Sequence, residues 1–203
     1  MAKSNNPTKG TTRYFAYVLA IGGALGVFAA SMLTYEKIHL LENPGVQLSC
    51  DISPIISCGS VITTDQASAF GFPNPFIGIA GFAVVTTIGM AILAGAKFKR
   101  WFWLGLLAGS TFGVVFIHWL IFQSLYNIQA LCPYCMLVWT VTLPIFWYTK
   151  LEVLKQGFLA VPDKLKRAEA FFQRHHFDVL MVWYLVIIGL IIHKFWYYWE
   201  TLI

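Results

Sequence analysis

The sequence predicts an all-α integral membrane protein with five transmembrane helices, the amino-terminus cytoplasmic and the carboxy-terminus extracytoplasmic. Three observations predict it. Of 203 residues, 58% are hydrophobic and only 11% charged, against roughly 25% charged in an ordinary soluble domain. Uncharged runs recur that can cross a membrane, since a helix rising about 1.5 Å per residue needs roughly 20 apolar residues to span about 30 Å of hydrocarbon. Finally, the basic residues fall almost entirely on one side of the membrane those runs define.

Residues 1–13 are polar and form a cytoplasmic tail. The first span lies between Arg13 and Glu36. It exceeds the apolar stretch of about 7 to 15 residues in a cleaved signal peptide, so it is read as a retained helix. Residues 36–74 form an extracytoplasmic loop punctuated by Asn43-Pro44-Gly45, Ser53-Pro54 and Pro73-Asn74-Pro75. Its apolar residues Ile52, Ile55, Ile56, Val61 and Ile62 suit a lid over the helix ends better than a solvated linker. The second span ends at Lys97, and the short link to Arg100 predicts that the second and third helices are antiparallel neighbours.

Trp101 to Thr149 carries no charge and is too long for one helix. The break is placed between Asn127 and Cys132, because Pro133 suits a first helical turn and not an interior one. Residues 150–177 form a charged cytoplasmic loop, and the fifth span occupies 178–203. Glycines between Ile21 and Gly26 and between Gly78 and Gly81 suit close helix packing in lipid.

With this topology 12 of 14 lysines and arginines are cytoplasmic, among them Lys3, Lys9 and Lys164, and only Lys37 and Lys194 lie outside. The net charge of +5 is therefore a positive-inside signature and not a nucleic-acid surface. Trp196, Tyr197, Tyr198 and Trp199 form an aromatic belt at the outer end of the fifth helix.

All four cysteines reach the extracytoplasmic face, Cys50 and Cys58 in the loop, Cys132 and Cys135 at the start of the fourth helix. That face is oxidising in bacteria and in secretory compartments, so the thiols meet disulfide chemistry. Cys132-Pro133-Tyr134-Cys135 sets two thiols one turn apart at a helix N-terminus, where the helix dipole favours a thiolate. Cys50 and Cys58 read as an accessible, mobile shuttle disulfide. Two stapling disulfides are the plainer alternative. A zinc site is disfavoured because Cys50 and Cys58 do not form a second short knuckle. His118, inside the third span, is a candidate for proton relay.

The order of these parts resembles the bacterial branch of the vitamin K epoxide reductase family over Arg13 to Thr149: a helix, CDISPIISC, GSVITT, GFPNPFIGIAG entering the second helix, and CPYC opening the fourth. The DsbB family carries its CxxC pair first, so the order here is reversed.

The resemblance implies a four-helix bundle at residues 14–149 around a quinone, with the fifth helix peripheral. It implies that the protein reoxidises a thioredoxin-like, DsbA-like partner and passes electrons to menaquinone, ubiquinone or a vitamin K type quinone. In that scheme Cys50 meets the partner, Cys58 exchanges with Cys132, and Cys135 faces the quinone. Asn74 and Phe76 in the GFPNPFIG stretch, together with Trp139 one turn past Cys135, become quinone-pocket candidates. Thr63 or Thr64 takes the place of a hydroxyl residue that holds the lid. Met136-Leu137-Val138-Trp139 lacks the threonine and tyrosine of animal members, so inhibitor sensitivity is not carried over. Many bacterial relatives continue into a fused thioredoxin-like domain, whereas this chain stops at Ile203, which predicts a partner in trans. The expected place is the plasma membrane of a bacterium, cysteines on the periplasmic side. Thiol-driven reduction of vitamin K or its epoxide is the alternative enzyme reading, and a disulfide-stapled transporter or scaffold the alternative from another class.

Overall fold

The computed structural model describes residues 13–159, 162 and 166–200. The amino-terminal tail with Lys3 and Lys9, and Lys164 in the later loop, lie outside the described residues. Every regular element among the described residues is helical: α1 (Arg13–Glu42), α2 (Cys58–Ile62), a 3-10 turn (Asp65–Ser68), α3 (Pro75–Leu93), α4 (Arg100–Phe122) running into a π-helical turn (Gln123–Ile128), α5 (Pro133–Lys155), α6 (Lys166–Arg174), α7 (His176–Lys194) and α8 (Trp196–Trp199).

Among the described residues, four helical stretches are long and apolar enough to cross a membrane: Arg13–Glu42, Pro75–Leu93, Arg100–Ile128 and His176–Lys194. The expected fourth span, α5, matches them in length with 23 residues but is less apolar, carrying Thr140, Thr142, Pro144 and Thr149. Its position explains the composition. Trp139, Val141, Leu143, Ile145 and Val153 are buried between α1 and α4, so this helix meets protein more than lipid. Its threonine hydroxyls donate to carbonyls four residues back, at 2.8 Å for Thr140, 2.7 Å for Thr142 and 2.6 Å for Thr149. Polar side chains satisfied in this way are tolerated without water.

Glycine lets α1 and α3 approach closely. A Cβ on Gly89 would lie 2.4 Å from the Ala20 backbone nitrogen, and one on Gly26 2.4 Å from the Phe82 ring. Helix α3 therefore packs on α1, α1 on α5, and α5 on α4. Six residues join α3 to α4, and the two helices face one another across a cavity that both line, with little direct packing between them. On α4, Gly105 and Gly109 have open space where a Cβ would sit. These glycines make room.

Two boundaries also shift. Helix α1 continues beyond the expected membrane edge at Glu36 and ends at Glu42, because its charged residues find partners in the loop above. Glu36 is buried and accepts from the Ser49 hydroxyl, while Lys37 Nζ donates to the Ile62 carbonyl at 2.8 Å. The loop after α5 is partly helical, with α7 starting at His176 instead of Asp178. Helix α7 is peripheral, burying only Leu180 and Ile187. Trp196 and Tyr197 are exposed beside it, as a membrane-interface belt requires; the Trp199 side chain lies outside the described residues.

Substitution tests the packing. Gly89→Leu should cost at least the roughly 1–3 kcal/mol typical of overpacking, since the obstructing atoms are backbone, whereas Gly109→Ala should melt no lower than the parent. Thermal unfolding in detergent measures both.

Candidate redox site

Backbone pairing brings the two cysteine segments together. The Leu131 N–H donates to the Ile55 carbonyl at 2.8 Å and the Ser57 N–H to the Leu131 carbonyl at 2.9 Å. Residue 131 is held extended because Gln129 adopts the left-handed conformation, φ +59°, and ends the π-helical turn. Each segment then starts a helix at the residue that matters. Cys58 opens α2 behind its N-cap Ser57, and Cys132 is the N-cap of α5 with Pro133 in the first turn.

The result is that Cys58 Sγ lies 3.2 Å from Cys132 Sγ. Cys58 is disulfide-bonded to Cys50, and Cys132 and Cys135 are free thiols. Cys132 is thus within exchange reach of the loop disulfide at its Cys58 sulfur. The expected accessibility of the loop pair does not hold: Cys50 is 5% and Cys58 0% exposed, enclosed by Leu33, Leu48, Val61, Ile62 and Ala130. An apolar lid excludes solvent from the disulfide.

Asp51 organises the loop. Its carboxylate accepts from Ser57 Oγ at 2.8 Å, the Gly59 N–H at 3.0 Å and the Leu48 N–H at 3.3 Å. Partial burial pushes its pKa up, but these hydrogen bonds outweigh that and leave it below the ordinary carboxylate value. The stabilisation they supply is present above the ordinary carboxylate range and fades as pH falls through the lowered value. Cys132 stands just ahead of α5, and its thiol is also lowered. The Cys135 thiol donating to it is the main cause; burial opposes, and the N–H groups of Cys135 and Tyr134 add to the lowering. Thiolate at Cys132 is the form that attacks a disulfide.

Below the lid lies a cavity of about 660 Å³ walled by α1, α3, α4 and α5. Cys135, Val138 and Trp139 line it from α5, Phe82 from α3, and Gly109 and Phe116 from α4. Trp139 is 4% exposed and its indole N–H has no partner among the described residues. Ser110 and Thr142 also line the wall, but their hydroxyls are satisfied by carbonyls of their own helices.

Not every candidate falls here. Asn74 lines the cavity, yet one amide N–H already donates to the Gln66 carbonyl at 2.7 Å and its oxygen accepts from the Ala69 N–H at 3.0 Å, closing the turn before α3. Phe76 is exposed and outside the wall. His118 faces α7 instead: Trp183 Nε1 donates to its Nε2 at 2.9 Å, so Nδ1 carries the hydrogen and donates to the Val114 carbonyl at 2.6 Å. Both nitrogens are engaged away from the cavity. The Thr63 and Thr64 hydroxyls bond to Gly59 and Val61, within their own turn. Sequence reasoning passed over Asp51 and Ser57, although an Asx residue beside Cys50 and a serine before Cys58 are turn and N-cap signals.

A family model described as the vitamin K epoxide reductase family matches residues 17–150. The chain belongs to the vitamin K epoxide reductase family. It is therefore a multi-pass membrane protein and a redox enzyme, in a family that carries out thiol-disulfide chemistry with quinones. Among curated proteins, none matches it. The span matched to the vitamin K epoxide reductase family runs from within α1 to within α5 and stops short of α6 and α7.

The lowered Cys132 thiol gives a pH test. With the loop disulfide intact, alkylation of Cys132 should begin at lower pH than that of an ordinary cysteine, and Cys135→Ala, which removes the donating thiol, should move the midpoint upward. Mass spectrometry after timed alkylation with a small reagent across pH reads this; an unmoved midpoint would remove Cys135 as the cause.

Proposed function

We propose that this enzyme takes two electrons from a thioredoxin-like, DsbA-like dithiol protein and delivers them to a membrane quinone, so supporting disulfide formation in exported proteins. The observation that carries this reading is the apolar cavity into whose wall Cys135 is set beside Val138 and Trp139. A flat apolar molecule would fill such a space while meeting the thiol. A quinone has that chemistry, and the cavity volume lies within the range of about 300–1,000 Å³ usual for small-molecule sites.

In the relay, the partner's dithiol reduces the Cys50–Cys58 disulfide and leaves as a disulfide itself. Attack falls on Cys50 once the lid lifts, because both loop sulfurs are covered in the closed form. The Cys58 thiolate then attacks Cys132 of an oxidised Cys132–Cys135 pair, releasing the Cys135 thiol. Cys50 attacks Cys58, restores the loop disulfide and leaves two thiols at 132 and 135. Cys135, on the cavity wall, passes the pair of electrons on as the Cys132–Cys135 disulfide re-forms; a quinone, when bound, accepts two electrons and two protons. Trp139 walls the site, and the second Asn74 amide hydrogen is available to a ligand oxygen.

The membrane orientation we propose has the cysteine end periplasmic in a bacterial plasma membrane. Support comes from Lys97, Lys99 and Arg100 at the turn between α3 and α4, and Lys155 at the end of α5, all at helix ends opposite the cysteines.

Anaerobic mixing with reduced dithiol partner and ubiquinone or menaquinone should yield quinol, absent in Cys132→Ser and Cys135→Ser. No quinol from the parent with any quinone would leave a stapled scaffold as the better reading. With Cys50 replaced by serine, non-reducing mass spectrometry should trap Cys58 bound to Cys132; a Cys50–Cys132 link in the Cys58→Ser protein at comparable yield would overturn the relay order. Trp139→Ala should raise the quinone KM roughly tenfold, as loss of a large apolar part of the wall implies.

A further inference from the structure

Pro144 deprives one carbonyl of α5 of its helical partner. Proline has no N–H, so the Thr140 carbonyl, four residues earlier, loses the bond that would continue the helix. The replacement donor comes from beyond the family-matched residues: Tyr184 on α7 donates its hydroxyl to the Thr140 carbonyl at 2.6 Å. In hydrocarbon no water is available for that role, and an unsatisfied carbonyl is costly. Other contacts tie α7 to the bundle. Trp183 meets His118, and the His176 carbonyl accepts from Trp147 Nε1 at 3.0 Å. Of these, the Tyr184 bond is the one made at the break in α5.

The location gives the bond a second consequence. The stretch between Pro133 and Pro144 carries Cys135, Val138 and Trp139 of the cavity wall, and Thr140 follows Trp139 directly. Where a proline interrupts the hydrogen-bond ladder, a helix bends most readily. Without an external donor the ligand-facing half of α5 is free to change its angle against the rest.

We propose that Tyr184 is a positioning residue for the ligand side of the cavity. By holding the Thr140 carbonyl it fixes the ligand-facing half of α5, and so the placement of Cys135, Val138 and Trp139 on the cavity wall. Helix α7 is then a working part of the enzyme as well as a membrane anchor. The inference rests on the quinone reading, and its test separates the two.

Full-length protein in detergent is assayed with dithiothreitol as dithiol and a ubiquinone carrying one isoprenoid unit. Tyr184→Phe keeps the ring and removes the donor. Its quinone KM should rise roughly three- to tenfold, with kcat changed less than twofold. Trp183→Phe, which loosens α7 without touching Thr140, should leave KM alone. Pro144→Ala returns an N–H to position 144, so adding Tyr184→Phe to it should raise KM no further. An unchanged KM in Tyr184→Phe overturns the proposal, as does an equal rise in Trp183→Phe or a full rise in the Pro144→Ala background. If Pro144→Ala does not fold, the first two variants decide. Amide hydrogen exchange across 134–143 reads the brace without any quinone and should quicken in Tyr184→Phe only. A parent protein that reduces no quinone sinks the functional reading; unchanged exchange in Tyr184→Phe sinks the brace.

Discussion

Two backbone hydrogen bonds between residues 55–57 and Leu131 hold the redox site together. They join a loop after the first helix to the residue before Cys132, across 74 residues of sequence. Everything chemical follows from that pairing. It sets Cys58 beside Cys132, and it closes the lid whose apolar residues seal the loop disulfide from water. A side-chain contact alone would leave the sulfurs free to separate by rotation. A backbone bridge fixes the register of both segments, and each cysteine begins a helix directly after it.

The second constraint is the solvent. In lipid each polar group needs a partner inside the protein, and α5 shows how that shapes a helix. Its hydroxyls turn back to carbonyls of the preceding turn, its proline-orphaned carbonyl is served by Tyr184, and the Trp147 N–H reaches the His176 carbonyl. Two indole N–H groups, of Trp103 and Trp139, are buried without a partner among the described residues, and of the two it is Trp139 whose side chain lies on the cavity wall.

Much of this was legible in the sequence because the relevant signals are local. Charge-free runs mark the apolar spans, proline after Cys132 marks the start of α5, and CPYC with CDISPIISC marks the chemistry. What was not legible depends on distance. The short link at residues 94–99 says that α3 and α4 are consecutive, but whether they touch is decided by how closely glycine lets α3 approach α1. Those glycines draw α3 to α1, while α4 follows α5, and the cavity opens between. His118 looked like an intramembrane titratable group facing function. Its partner, Trp183, lies 65 residues away on the peripheral helix, and no local pattern announces that contact. The loop disulfide looked exposed because loops usually are; Leu33 and Ala130, distant in sequence, bury it.

The path from lid to cavity is a single helical stripe. Cys132, Cys135, Trp139 and Thr142 recur at spacings of three and four, which places them on one face of α5. The first meets Cys58, and the other three line the cavity. A thiol at the N-cap gains from the adjoining N–H groups, whereas one a turn deeper looks into an apolar space. The same spacing therefore gives the two cysteines of CPYC different surroundings without any further element.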